Sequence, residues 1–348
     1  MEMLWFWLVS VLVAIYVVMD GFDFGAGILH LFVAKTNEER REVLGAVGPL
    51  WDGNEVWLLA GGGTLFLAFP KVLASGFSGF YLALFLVLWC ILLRGISIEF
   101  RSHLQDGLWR HMWDAGFAVS SILLPVLFGV ALGNVLRGVP LDASGYFELP
   151  LWTSFQVGAW PGLLDWYTVL IGVFALVTVA AHGAMFLAWK TEGPVHDRSV
   201  ALSLKLWGLV VLMWLLATVA SFLVTPTLFQ NLSRAPLAWL ATFIFVAGLL
   251  VVFMGVKRQK YLLAFLGSGA FILGILAATA ACVYPVMLKS TLNPAYSLTA
   301  TNAVAGRTGL NAALGWWFIA FVIVLGYYSY LFRVHRGKVK AAAEGEGY

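Results

Sequence analysis

Asp20 and Asp23 interrupt an apolar run from Leu4 to Leu31, close to the start of a 348-residue chain. A carboxylate at bilayer depth costs about 2.5–3.5 kcal/mol on insertion scales, so both acids must face protein or water rather than lipid. Three residues apart, they share one helix face, and Gly25 and Gly27 just beyond them let a neighbouring helix come close. A second acidic pair, Asp52 and Glu55, sits in Gly48-Pro-Leu-Trp-Asp-Gly-Asn-Glu-Val-Trp57, where the next apolar run begins. Carboxylates held between helices can load and release protons, so the two pairs point to proton handling or an ion site. Packing alone is the competing reading for Asp20 and Asp23. For Asp52 and Glu55 it is a capping box: Asp52 would accept from first-turn amides while Glu55 reaches back to close the turn. The flanking Trp51 and Trp57 and the polar Asn54 favour something beyond a cap, and both roles stay open.

Other constellations are weaker. Arg94, Glu99 and Arg101, followed by Trp109-Arg-His-Met-Trp-Asp114, form a polar loop that reads as interfacial, with ion pairs that could pin the third and fourth spans. Of His30, His103, His111, His182, His196 and His335, only His182 lies well inside an apolar segment, with His30 near the end of another. A bis-histidine haem needs paired imidazoles at facing positions, which these do not offer, so His182 reads as a hydrogen-bonded packing residue. There is no Cys-x-x-Cys-His, no Walker sequence and no Gly-x-Gly-x-x-Gly after a strand.

The elements that must position these residues follow from composition. With 61% hydrophobic and 11% charged residues, the chain reads as an integral membrane protein, and long apolar stretches make it all-α and polytopic. Spans are predicted at about 4–33, 54–73, 75–97, 113–136, 163–189, 203–225, 237–256, 261–288 and 309–332, nine in all, with Pro125 and Pro285 expected to kink their helices. Nine divides naturally into two four-helix bundles plus one extra helix. The whole chain, 1–348, is expected to form one membrane domain. Its first four helices, about 4–136, carry the motifs, the remaining helices occupy about 163–332, and a tail follows at 333–348. No basic residue precedes the first run, which is too long for a signal peptide, so no cleavage is expected. Cys90 and Cys282 lie in apolar spans and read as small hydrophobes; most of the 16 Trp, including Trp5, Trp7, Trp113, Trp189, Trp316 and Trp317, read as interfacial. The net charge of +3 sets orientation and carries no nucleic-acid role.

These strings resemble the second subunit of cytochrome bd-type quinol oxidases. The resemblance rests on Asp20-Gly-Phe-Asp-Phe-Gly-Ala-Gly27, on Gly48 to Trp57 with Gly61-Gly-Gly63, on Phe77-Ser-Gly-Phe-Tyr81, on Arg94 with Glu99-Phe-Arg101, and on Trp109 to Asp114. All lie in the first third; the remainder matches by hydropathy. The resemblance implies a heterodimeric complex in the cytoplasmic membrane of a prokaryote, in which a haem-bearing subunit I carries two b-type haems and haem d. There quinol is oxidised near the outer face and O2 is reduced to water with cytoplasmic protons. This chain would ligate no haem or metal and hold no catalytic residue of its own. Asp20, Asp23 and Asp52 would line part of the proton route, with Glu55 at a position that carries Gln in other members. Trp51, Trp57, Arg94, Glu99, Arg101, Trp113 and Asp114 fall on the family motifs as structural positions. The resemblance leaves room for small accessory transmembrane subunits and for a bound quinone or lipid. Two other readings of the same acids are a proton- or cation-coupled secondary transporter, with Gly61–Gly63 and Pro285 as broken-helix features, and a purely structural scaffold.

Of the 21 Lys and Arg residues, Lys71, Arg137, Arg234, Lys289 and Arg307 fall on one side of the predicted spans and the other sixteen, among them Arg333, Arg336, Lys338 and Lys340, on the opposite side. By the positive-inside rule the N-terminus is extracytoplasmic, the C-terminus cytoplasmic, and Asp20, Asp23 and Asp52 line up toward the cytoplasm. A reporter fused after Tyr348 should therefore be active only in the cytoplasm, and labelling of that terminus in intact cells would overturn the span map.

Overall fold

The computed structural model describes residues 1–339; Lys340 and Tyr348, on which part of the orientation argument rests, lie outside the described residues. Twelve α-helices account for most of the described chain: α1 (Glu2–Val33), α2 (Asn37–Val47), α3 (Trp51–Ala68), α4 (Pro70–Gly79), α5 (Tyr81–Phe100), α6 (Gly107–Arg137), α7 (Trp166–Lys190), α8 (Gly193–Val224), α9 (Thr227–Arg234), α10 (Pro236–Lys257), α11 (Tyr261–Val283) and α12 (Arg307–Val334). Two short strands, β1 (Val286–Leu288) and β2 (Leu298–Thr299), pair antiparallel between α11 and α12. Backbone groups in lipid have no water to bond, so the apolar runs close their hydrogen bonds within helices. Among the described residues eight helices are long and apolar enough to cross a membrane, and the bent pair α3–α4 brings the number to nine.

That pair corrects the expected span at 54–73. The chain turns by 119° between α3 and α4. Pro70 takes the first position of α4, where its missing N–H is harmless, and it disfavours helical geometry at Phe69, which adopts φ −136° and ψ 59°. α3 alone is about 27 Å long at 1.5 Å per residue, close to a hydrocarbon core of ~30 Å. Gly61–Gly63, read as a broken-helix feature, lies within the continuous α3, and Pro285 follows the end of α11 instead of kinking it. Those two supports for a transporter are gone. Pro125 sits inside an unbroken α6.

One helix was not expected. α2 is capped by Thr36, whose hydroxyl accepts from the Glu39 amide while the Glu39 carboxylate accepts from the Thr36 amide. This capping box, Thr36-Asn-Glu-Glu39, was legible in the sequence.

α1 is the hub, packing on α3, α6, α7 and α11. Glycine makes its closest approach: a Cβ on Gly25 would stand 2.6 Å from the Gly183 Cα on α7, and one on Gly27 would stand 2.6 Å from the Ser121 Cβ on α6. α10 and α11 pair in the same way through Gly248, Gly255, Gly267 and Gly274. α12 stands apart with only 6% of its most apolar stretch buried, and a cavity of about 550 Å³ separates part of it from α3. The large side chains Phe85, Trp89, Leu92, Trp316, Phe318 and Tyr330 of α5 and α12 are exposed. Trp5, expected in an interfacial belt, is instead fully buried against Phe69 and Ala300, whereas Trp316 is exposed. Cys90 and Cys282 are buried free thiols.

Gly25→Leu or Gly183→Leu should abolish recovery of a monodisperse protein, because backbone occupies the space the side chain needs. Gly62→Ala, with nothing within 4 Å of its would-be Cβ, should be tolerated. Size-exclusion profiles of the detergent-solubilised variants check both.

Candidate acid–base site at the hub helix

Asp20, Asp23, Asn54 and Arg94 are fully buried where α1 meets α3 and α5. Arg94 Nη1 donates to Asp20 Oδ1 at 2.5 Å, and Nη2 donates to the Glu55 carboxylate. The guanidinium carbon lies 4.4 Å from the centre of the Phe24 ring, a cation–π contact worth about 2 kcal/mol when desolvated. One turn along α1, Asp23 Oδ2 accepts from Asn54 Nδ2 at 2.7 Å, and the same amide donates to the Met19 carbonyl at 3.1 Å. Three carboxylates thus gather around one cation. Asp20 Oδ2, Asp23 Oδ1, Asn54 Oδ1, Arg94 Nε and the Tyr16 hydroxyl are buried without a hydrogen-bond partner among the described residues.

Glu55 belongs to this cluster and not to a helix cap. α3 starts at Trp51 with Leu50 at its N-cap and no side-chain capping bond, so the capping box read from Asp52 and Glu55 is absent. The reason is electrostatic: a bond to a buried guanidinium outbids a bond to a first-turn amide. Asp52 does not join Asp20 and Asp23 either. It is exposed and lines the cavity between α3 and α12, together with Trp57, Trp317, Tyr327 and Tyr328. Trp51 lies against Gly95, whose would-be Cβ stands 3.1 Å from the ring, and the buried Trp57 packs 5.4 Å from the Tyr328 ring.

A second cluster lies at the end of the bundle formed by α2, the end of α5 and the start of α6. Asp114, buried on α6, accepts from Arg101 Nε at 2.6 Å and Nη2 at 3.2 Å, from Arg40 Nη1 at 2.7 Å, and pairs with His30 Nε2 at 2.6 Å. Arg101 and Asp114 thereby tie the end of α5 to α6, while Arg94 points into the membrane-depth cluster instead. Trp113 contributes an aromatic contact with Phe100 at 5.8 Å, and Glu99 lies on the last turn of α5.

A third cluster was missed. Arg137, at the far end of α6, donates to Asp165 and to Asn134, while Asp165 caps α7 by accepting from Tyr167 and Thr168 amides at 2.9 Å. The spacing Asp165-Trp-Tyr-Thr168 was the signal available.

The two buried histidines are held by hydrogen bonds. His182 uses both ring nitrogens, Nδ1 with Ser268 Oγ at 2.6 Å and Nε2 with the Val18 carbonyl at 3.0 Å, and stacks on Phe265 at 4.9 Å. His30 is held by Asp114 against Phe117. Among the described residues no three His, Cys, Asp or Glu side chains converge on a metal position.

Fold and site together define a multi-pass α-helical membrane protein built to keep carboxylates and one arginine inside the bilayer. Residues 1–335 match the family described as cytochrome bd terminal oxidase subunit II, and the chain belongs to that family. It is 30% identical over 356 residues to the cytochrome bd-I ubiquinol oxidase subunit 2 of Escherichia coli strain K12, covering 94% of this chain and 92% of that protein. To the cytochrome bd ubiquinol oxidase subunit 2 of Bacillus subtilis strain 168 it is 32% identical over 311 residues, covering 88% of each. In fold it is similar to a chain of the bd oxidase from Geobacillus thermodenitrificans, with a TM-score of 0.76 at 16% identity over 96% of this chain and 98% of that one.

Breaking one partner of a buried ion pair costs about 3–5 kcal/mol, whereas removing both charges is much milder. Arg94→Gln should therefore sharply reduce recovery of folded protein, and adding Asp20→Asn and Glu55→Gln should restore part of it. Thermal unfolding of the purified variants measures both effects.

Proposed function

We propose that this chain serves as the second subunit of a bd-type quinol oxidase in a prokaryotic cytoplasmic membrane, and that its buried carboxylates carry protons toward the site of O2 reduction. The family match and the two relatives, both named as ubiquinol oxidase subunits, support the first part. The haems of b and d type belong in this reading to subunit I, in line with a His182 whose two ring nitrogens are both engaged. The outward apolar faces of α5 and α12 suit lipid and that partner, which this chain would help to stabilise.

One observation carries the proton reading: Asp20 and Glu55 share the single Arg94 guanidinium, while the fully buried Asp23 one turn away has only the neutral Asn54 amide as its partner. A cluster short of positive charge is readily completed by protons. Glu55, whose side chain is 20% exposed, is the accessible member of the cluster and the one through which protons would enter, with Asp52 three residues before it on α3. Asp20 and Asp23 hold the proton in the interior. Arg94 keeps its charge and its position throughout, so the carboxylates can change state without collapsing onto one another. Asn54 fixes Asp23 by donating to it. The orientation with Met1 outside places Asp52 at the cytoplasmic surface.

Asp23→Asn tests this in the assembled complex. Asn keeps the acceptor oxygen for Asn54 but cannot carry a proton, so quinol-driven O2 uptake should fall by about 10²-fold or more at unchanged haem content. Normal uptake from pH 5.5 to 9 would remove Asp23 from the route, and loss of haem in parallel with uptake would make it an assembly residue.

A further inference from the structure

The polar chemistry of α1 does not stop at Asp23. Tyr16, Asp23 and His30 recur at seven-residue intervals, a spacing that drifts only about 20° per step around an α-helix, so the three form one stripe. All three are buried. Between Asp23 and His30 the stripe passes Gly27, where the Ser121 side chain of α6 fills the place of a Cβ. Asp23 and His30 lie roughly 10 Å apart along the axis. That distance exceeds a direct hydrogen bond but suits a relay through a hydroxyl and water.

The stripe is marked by unpartnered polar atoms. Asp23 Oδ1, Asn54 Oδ1, Ser121 Oγ and His30 Nδ1 are each buried with no hydrogen-bond partner among the described residues. An orphaned buried polar atom costs about 1–3 kcal/mol, and these four flank α1 where it meets α3 and α6, an expensive arrangement unless it serves transfer. At the far end, His30 Nε2 faces Asp114 at 2.6 Å, and Asp114 is reached from the aqueous side by Arg40, whose side chain is 18% exposed.

We propose that His30 is a proton-relay residue, the inner end of a second branch that runs from the Arg40–Asp114 surface through His30 and Ser121 to Asp23. The proposal rests on the proton role given above to Asp23. The groups facing His30 are Asp114 of α6, Arg101 of the α5–α6 turn and Arg40 of α2. In the relaying tautomer Nδ1 carries the proton and Nε2 turns its lone pair to Asp114. A proton arriving from the aqueous side passes over the Asp114 carboxylate to Nε2, giving an imidazolium that Asp114 balances. The Nδ1 proton then leaves through the Ser121 hydroxyl and water to the Asp23 carboxylate, which becomes the acid while His30 becomes neutral again, and transfer of the remaining ring proton back to Nδ1 by way of water resets the relay. Asp114, held by two arginines, is a carboxylate before and after each transfer and positions the ring.

The test uses the complex purified with its haem-bearing subunit and compares His30→Gln, Ser121→Ala and Asp23→Asn by haem content and by quinol-driven O2 uptake across pH 5.5–9. Gln keeps an N–H for Asp114 but cannot relay a proton. The expected result is full haem content in His30→Gln, with uptake lowered at least threefold and the loss growing toward high pH, where protons are scarce. Ser121→Ala should show a smaller loss of the same pH shape. Unchanged uptake in His30→Gln with Asp23→Asn impaired would overturn the second branch and leave the role of Asp23 standing. Normal uptake in all three would overturn both. If His30→Gln fails to assemble, Ser121→Ala, which removes only a hydroxyl, decides: a flat pH profile identical to the unmodified complex refutes the branch.

Discussion

The Arg94 guanidinium, clamped between Asp20 and Glu55 and laid over Phe24, is the contact that the rest of the structure is arranged to make affordable. Asp20 and Asp23 are fully buried with no water to solvate them, and the one guanidinium beside them also holds Glu55. Its planar, forked geometry suits the task, since two donors can face two different helices while the flat face rests on an aromatic ring. α1, α3 and α5 are thereby fixed to one another by charge, in a solvent where apolar side chains give helices little reason to choose each other over lipid.

Charge alone would not exclude lipid and water from such a site. α1 packs closely on α7 and α6 because Gly25, Gly183 and Gly27 remove the side chains that would hold the helices apart. Dispersion forces at these contacts do what the hydrophobic effect cannot do between helices already in an apolar medium. The acids and the glycines therefore belong to one design. Small residues bring the backbones together so that the polar groups between them are enclosed by protein.

Much of this was legible in the sequence, and the reasons divide cleanly. Apolar length identifies the spans because the bilayer imposes it, and the two acids of α1 stood out because their placement in lipid is costly. The pairing of Gly25 and Gly27 with neighbouring helices follows from their small size. What failed depended on partners distant in the chain. Glu55 was grouped with Asp52 by local spacing, yet Arg94, 39 residues later, claims it. Asp52 makes no capping bond and lies exposed along the cavity between α3 and α12, which forms only once α12, more than 250 residues later, has packed. His30 looked like a residue near a helix end because Asp114 lies 84 positions away, and the bend at Phe69–Pro70 fell inside a span drawn from 54 to 73 because hydropathy carries no direction.

The long reach of the Arg94–Asp20 contact has a consequence for how the chain is made. Their separation is 74 residues, so at a synthesis rate of ~5–20 residues per second α1 is in place roughly 4–15 seconds before its counter-ion has been polymerised. Gly183, which closes the other side of α1, arrives later still. During that interval the first helix carries two acids with neither arginine nor α7 to cover them, so the site is enclosed only when α5 and then α7 have been made, and the order of the helices along the chain sets the order in which it is closed.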